Sequence, residues 1–172
     1  MGLMGRRATG LPDVVRTAVP LAAGDRIIAW ARDEHSDGHV VASTHRLSAV
    51  GRDGSLLWQR PWHEVDSGTW QSDSELLTVT WVDGRRPAQW LLRESGRILQ
   101  AVRERVQASV VLVDEFRVMD GRRRVRVVIR HDLATGALLE QTVPGKGVDL
   151  VDPEIAREAA DRLARLRSEV GL

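Results

Sequence analysis

The 172-residue chain has no cysteine and no tyrosine, and it carries one phenylalanine and one lysine. Without cysteine, disulfide frameworks, thiolate metal centres and cysteine nucleophiles are all excluded. Long apolar runs are missing too. The longest, of four to five residues such as Val110 to Val113, fall far short of the roughly 20 that cross a bilayer as a helix. No apolar leader segment follows Met1, and Arg6 stands where a myristoylation signal carries Ser or Thr, so the expected location is the cytoplasm. Neither sign of charge dominates: 25 Lys+Arg against 24 Asp+Glu leave a formal charge of +1. That balance argues against a generic polyanion binder and says nothing of a local patch. What remains, 42% hydrophobic and 28% charged residues, is an ordinary globular composition able to bury a core in one domain or one plus an extension.

Catalytic motifs are equally scarce. There is no Gly-x-Ser-x-Gly elbow, no His-Glu-x-x-His helix and no Rossmann spacing. Pro144-Gly145-Lys146-Gly147 lacks the upstream glycine and the following Ser or Thr of a phosphate-binding loop. His63 and Glu64 are adjacent, and on a strand adjacent side chains point to opposite faces. The turn holding Asp33, Glu34, His35, Asp37 and His39 is polar. Read as a calcium loop it fails at its third position (His35) and its twelfth (Thr44), and a solvated turn explains it better. The expectation is a protein that is not an enzyme and holds no cofactor and no metal.

Hydrophobic periodicity supplies an architecture. Residues 1–23 read as an N-terminal segment with one helical turn at 12–19, opened by Pro12 and stopped by Pro20. From Gly24, short alternating runs at 25–32, 39–44, 46–50, 55–60, 62–70, 75–82 and 87–93 read as seven strands. Asp37-Gly38, Asp53-Gly54 and Asp83-Gly84 mark turns between them. In the first run Ile28, Trp30 and Arg32 share one face, and Ile27, Ala29 and Ala31 the other. The period then changes to 3.6: Ile98, Leu99, Val102 and Val106 place an amphipathic helix at 95–107, suited to covering an open sheet edge. Runs at 109–117, 122–130 and 137–143 form a three-stranded meander. The chain ends in a helix capped by Asp152, opened by Pro153 and stopped by Gly171. The expected fold is mainly β within the α+β class: a seven-stranded antiparallel barrel or sandwich plus helix over 24–107, then a meander and C-terminal helix over 108–172.

Seven strands followed by one helix is also the plan of pleckstrin-homology domains. Three segments support this beyond the strand count: Gly24-Asp25-Arg26-Ile27-Ile28-Ala29-Trp30, Val40-Val41-Ala42-Ser43-Thr44-His45-Arg46-Leu47 and Pro61-Trp62-His63-Glu64-Val65. Together they resemble the opening of bacterial PH-like domains, over about residues 21–107. Val102-Arg103-Glu104-Arg105-Val106 and the tail after it resemble an extension of uncharacterised bacterial members. The resemblance implies a binding or scaffolding module for a protein partner or for self-association. It departs from the lipid-binding members in its first loop, Asp33-Glu34-His35-Ser36-Asp37-Gly38, which is acidic where they carry Lys and Arg. Phosphoinositide binding at that loop is therefore not expected.

Two residue groups remain as candidates. Six tryptophans make up nearly all the aromatic content. Rings of this size most often fill a core, and Trp62 and Trp70, on the weakest strand pattern, are the expected exceptions. Between 117 and 130 stand six arginines against one acid, Asp120. Alternation places Arg124, Arg126 and Arg130 opposite Val125, Val127 and Ile129, so the apolar face should pack and the basic face look outward. Arg122, Arg123, Arg124, Arg126 and Arg130 are thus the candidate partner-binding residues, for nucleic-acid phosphates or an acidic partner. Against this stands cross-strand pairing with Asp114, Glu115 or Glu140, and no aromatic residue interleaves the arginines for base stacking. A small apolar ligand held inside a barrel is the third functional reading.

Overall fold

The computed structural model describes residues 10–171. A short helix, α1 (Asp13–Ala18), begins just after Pro12 and leads into seven antiparallel strands. β1 (Ile27–Arg32), β2 (His39–Ser43), β3 (Arg46–Val50) and β4 (Leu56–Pro61) form one sheet in that order. β5 (Val65–Gln71), β6 (Leu76–Trp81) and β7 (Ala88–Leu91) form a second. Helix α2 (Gly96–Ser109) runs without an intervening residue into β8 (Val110–Val118). With β9 (Arg123–His131) and β10 (Leu138–Pro144), β8 makes a third sheet in the order β10-β9-β8, and α3 (Pro153–Val170) follows. The class is α+β, dominated by antiparallel sheet. No helix among the described residues is long and apolar enough to cross a membrane.

No sheet closes on itself, so the barrel form of the expectation is corrected. The strand expected over 62–70 is also broken. Trp62–Glu64 is a 3-10 turn, and β5 starts only at Val65. The cause is local. Trp62 is fully buried, with its indole N–H donating to the Ser43 carbonyl at 3.0 Å, and this draws the chain out of the β4 ladder after Pro61. Trp62 is therefore the most deeply placed tryptophan rather than an exception to the core. At the opposite corner, Glu34 N–H donates to the Leu91 carbonyl at 2.9 Å, linking the end of β1 to β7.

The two sheets and α2 share one core. Leu47, Trp62, Val65, Leu77, Val79, Trp81, Trp90 and Leu92 pack with Ile98, Ala101 and Val102. Trp58 meets Trp81 edge-on at 5.1 Å between ring centres, a favourable quadrupole geometry. The helix touches β1 and β2 of one sheet and β5 of the other, and so fills the opening that closure would have sealed. A bulge between Ile27 and Ala29 moves Ile28 onto the core face with Ala29 and Ala31. Ile27 goes instead to the side of Trp30, against Val15 and Val19 of the N-terminal segment. Simple alternation misses this, because one inserted residue exchanges the faces. A separate core joins Phe116, Val125, Val127 and Ile129 to Ala159 and Leu166, so α3 covers one face of the third sheet. Its cap is as the sequence implies: the Asp152 carboxylate accepts from Glu154 N–H at 2.9 Å, and Gly171 ends the helix at φ 74°.

At Gly68, α2 packs closely against β5. A Cβ there would lie 2.6 Å from Val102 Cγ1, closer than carbon atoms tolerate. Gly68→Ala is expected to cost about 1–3 kcal/mol by overpacking. A denaturant titration checks this: the midpoint should fall while the slope is unchanged.

Candidate functional site

The arginine strand is sorted by depth. Arg122, Arg123 and Arg124 are exposed at the turn end of the β8–β9 hairpin, which for Arg124 agrees with the outward-facing expectation. Arg124 pairs across the strand with Glu115 at 3.2 Å, while Arg122 and Arg123 have no ion-pair partner among the described residues. Arg126 and Arg130 depart from the outward-facing expectation. Their face of β9 is turned toward the first two sheets, where Asp66 of β5 takes both guanidinium groups. One Arg126 nitrogen lies 2.7 Å from each carboxylate oxygen, and Arg130 approaches to 3.8 Å. Arg130 is 1% exposed and also donates to Ser109 Oγ at 2.9 Å, at the residue where α2 becomes β8. Burial is the main influence on the Arg130 guanidinium and pushes its pKa down. Asp66 opposes that push and Arg126 adds to it.

Further contacts complete this junction. Gln141 of β10 donates to the His63 carbonyl at 2.8 Å, and His63 Nδ1 stands 3.9 Å from Asp132. Glu64 instead faces Arg60 at 3.7 Å, so His63 and Glu64 form no pair, here because of a 3-10 turn rather than a strand. No local pattern points to Asp66, because its partners stand 60 and 64 positions away.

The acidic first loop is internally committed. The Asp33 carboxylate accepts from Ser36 Oγ at 2.6 Å and from Leu91 N–H at 2.8 Å, fastening the loop to β7. Asp37 pairs with Arg32, and Glu34 faces Arg93 at 3.8 Å. His39 lies against the Trp30 ring, and burial, aided by Arg32, pushes its pKa below the ordinary value despite Asp37. Among the described residues, no three His, Asp or Glu side chains converge as metal ligands would.

A further candidate is a cleft of about 360 Å³ between β5 and α2. Gly68, Trp70 and Leu77 form its sheet wall, and Leu99, Val102 and Val106 its helix wall. Asp66, Arg103 and Gln107 supply polar groups. Trp70 is half-buried at this cleft and, like Trp58, packs against the main core, so it too is not an exception. The outer edge of β5 is unpaired among the described residues, where its one strand partner is β6. Gly68 was the one available signal, because a glycine within a strand pattern marks a close approach. Compared with family models, curated proteins and solved structures, the chain matches none of them.

Removing Asp66 strands two cations, one of them fully buried. Asp66→Asn is therefore expected to destabilise the fold by about 3–5 kcal/mol, whereas Asp66→Leu combined with Arg130→Met should recover most of the loss. Arg126→Ala should cost less, since a third of that side chain is exposed and its charge is screened. Urea denaturation of the four proteins checks the order. Equal midpoints for wild type and Asp66→Asn would show that the carboxylate is not the tie.

Proposed function

We propose that this chain is a cytoplasmic, non-enzymatic PH-like module that binds an extended segment of a protein partner along β5. The observation that carries this reading is an unpaired strand edge lying beside an apolar cleft. A free edge offers backbone donors and acceptors to an incoming strand, and the adjoining cleft offers pockets for alternate side chains. The incoming segment would run along residues 68–71 and place apolar side chains against Trp70, Leu99 and Val106. Arg103 is exposed at the helix wall with no ion-pair partner among the described residues, which favours an acidic residue in the ligand. The resemblance to PH-like domains supports the same reading, because a four-stranded and a three-stranded sheet with one helix between them is compatible with that plan. The arginine hairpin is not the primary site here, because Arg126 and Arg130 are engaged internally.

Selection from a displayed random-peptide library tests this. Binders are expected whose affinity falls about tenfold or more for Val106→Asp, a loss of about 1.4 kcal/mol. Amides of residues 68–71 should gain protection from hydrogen exchange on binding. An empty selection, binders indifferent to Val106→Asp, or a dimer that buries β5 in the purified protein would each overturn the reading.

A further inference from the structure

β8 lies at the edge of the third sheet. It runs for nine residues, and among the described residues its one strand partner is β9. Glu115 stands opposite Arg126 in that pairing, yet the Glu115 N–H and carbonyl bond to side chains rather than to β9. In an antiparallel strand both backbone groups of a residue point to the same side, and the side alternates along the chain. The outward groups of β8 are therefore those of Val113, Glu115 and Arg117. A bare edge of this kind is where a strand of another chain adds.

The middle of that edge is covered from within. One oxygen of the Asp114 carboxylate accepts the Glu115 N–H at 2.7 Å, and the other accepts from Arg162 of α3 at 2.8 Å. The same Arg162 nitrogen also donates to the Glu115 carbonyl at 3.4 Å. Arg162 is held on two further sides: its Nε donates to Glu158, and its guanidinium lies 5.1 Å from the centre of the Phe116 ring. A salt bridge that only fastened α3 to the sheet would have no need of the Glu115 backbone.

The edge is also complementary to itself. With a second copy antiparallel and Phe116 opposite Phe116, Glu115 of each copy faces Arg117 of the other, and Val113 comes level with Met119. Arg117 is exposed without an ion-pair partner among the described residues, and inside the hairpin it stands opposite another arginine, Arg124. Val113 and Met119 are 55% and 59% exposed. Opposite charges facing each other across strands favour pairing, apolar side chains gain by burial, and a two-fold contact makes each interaction twice.

The structure assigns Asp114 and Arg162 the role of a latch, which closes the β8 edge against pairing with a second copy of this chain and opens it when released. The latch belongs to the third sheet and does not depend on the β5 reading.

Light scattering across the micromolar range, with a thermal melt of each variant, tests this. The wild type is expected to be a monomer. Asp114→Ala with Arg162→Met should give a dimer, and the methionine keeps an apolar stem over Phe116, so the fold should persist. In that dimer the amides of Val113, Glu115 and Arg117 should exchange more slowly, while residues 68–71 exchange as in the wild type. Adding Arg117→Glu sets like charges opposite each other in two places and should weaken the dimer roughly tenfold or more, which loss of a structural tie alone would not do. Arg162→Met by itself uncovers only the Glu115 carbonyl and should dimerise more weakly. It is the deciding variant if the double change abolishes a cooperative melt. A folded latch variant that stays monomeric overturns the inference. So does a wild type that already pairs through β8, or a dimer that is indifferent to Arg117→Glu or protected away from β8.

Discussion

One carboxylate, Asp66, holds this molecule together across its two cores. It stands on β5 of the second sheet and accepts from a guanidinium of the third, while the deeper arginine, Arg130, reaches on to Ser109. A buried ion pair adds little net stability over a well-packed apolar contact, because both charges must leave water. Its contribution here is directional. An apolar face such as Val128 and Val143 could slide by one strand position with little penalty, whereas a carboxylate shared by two guanidinium groups accepts few geometries.

Much of the chain was legible because its signals are local. Asp-Gly pairs at 37–38, 53–54, 83–84 and 120–121 mark turns, and in each at least one residue adopts positive φ. Asp152, Pro153 and Gly171 bound α3 to the residue, since caps are decided within a few positions. The losses came where a distant partner overrides alternation. Trp62 leaves its strand to reach a carbonyl on β2, and bulges near Ile27 and Val65 exchange the faces they interrupt. Alternation predicts a solvent-facing polar face for β9, because it separates two faces but does not say what covers each. A carboxylate 64 positions earlier covers this one.

The arginines of β9 therefore do not form one functional class. From the strand into the turn before it they pass from fully buried at Arg130, through half-buried at Arg126 and cross-strand paired at Arg124, to Arg123 and Arg122, which have no ion-pair partner among the described residues. Composition alone groups them as a patch. Depth divides them between holding the two cores in register and facing whatever lies outside.

The passage from α2 into β8 occurs between Ser109 and Val110 with no connecting residue, and Arg130 grips Ser109 at that step. A tether would let the two halves swivel, whereas a helix that turns directly into a strand behaves as a rigid bracket. The cleft beside β5 and the free edge of β8 thus keep a constant relative orientation. Anything seated in one is presented at a set angle to anything touching the other.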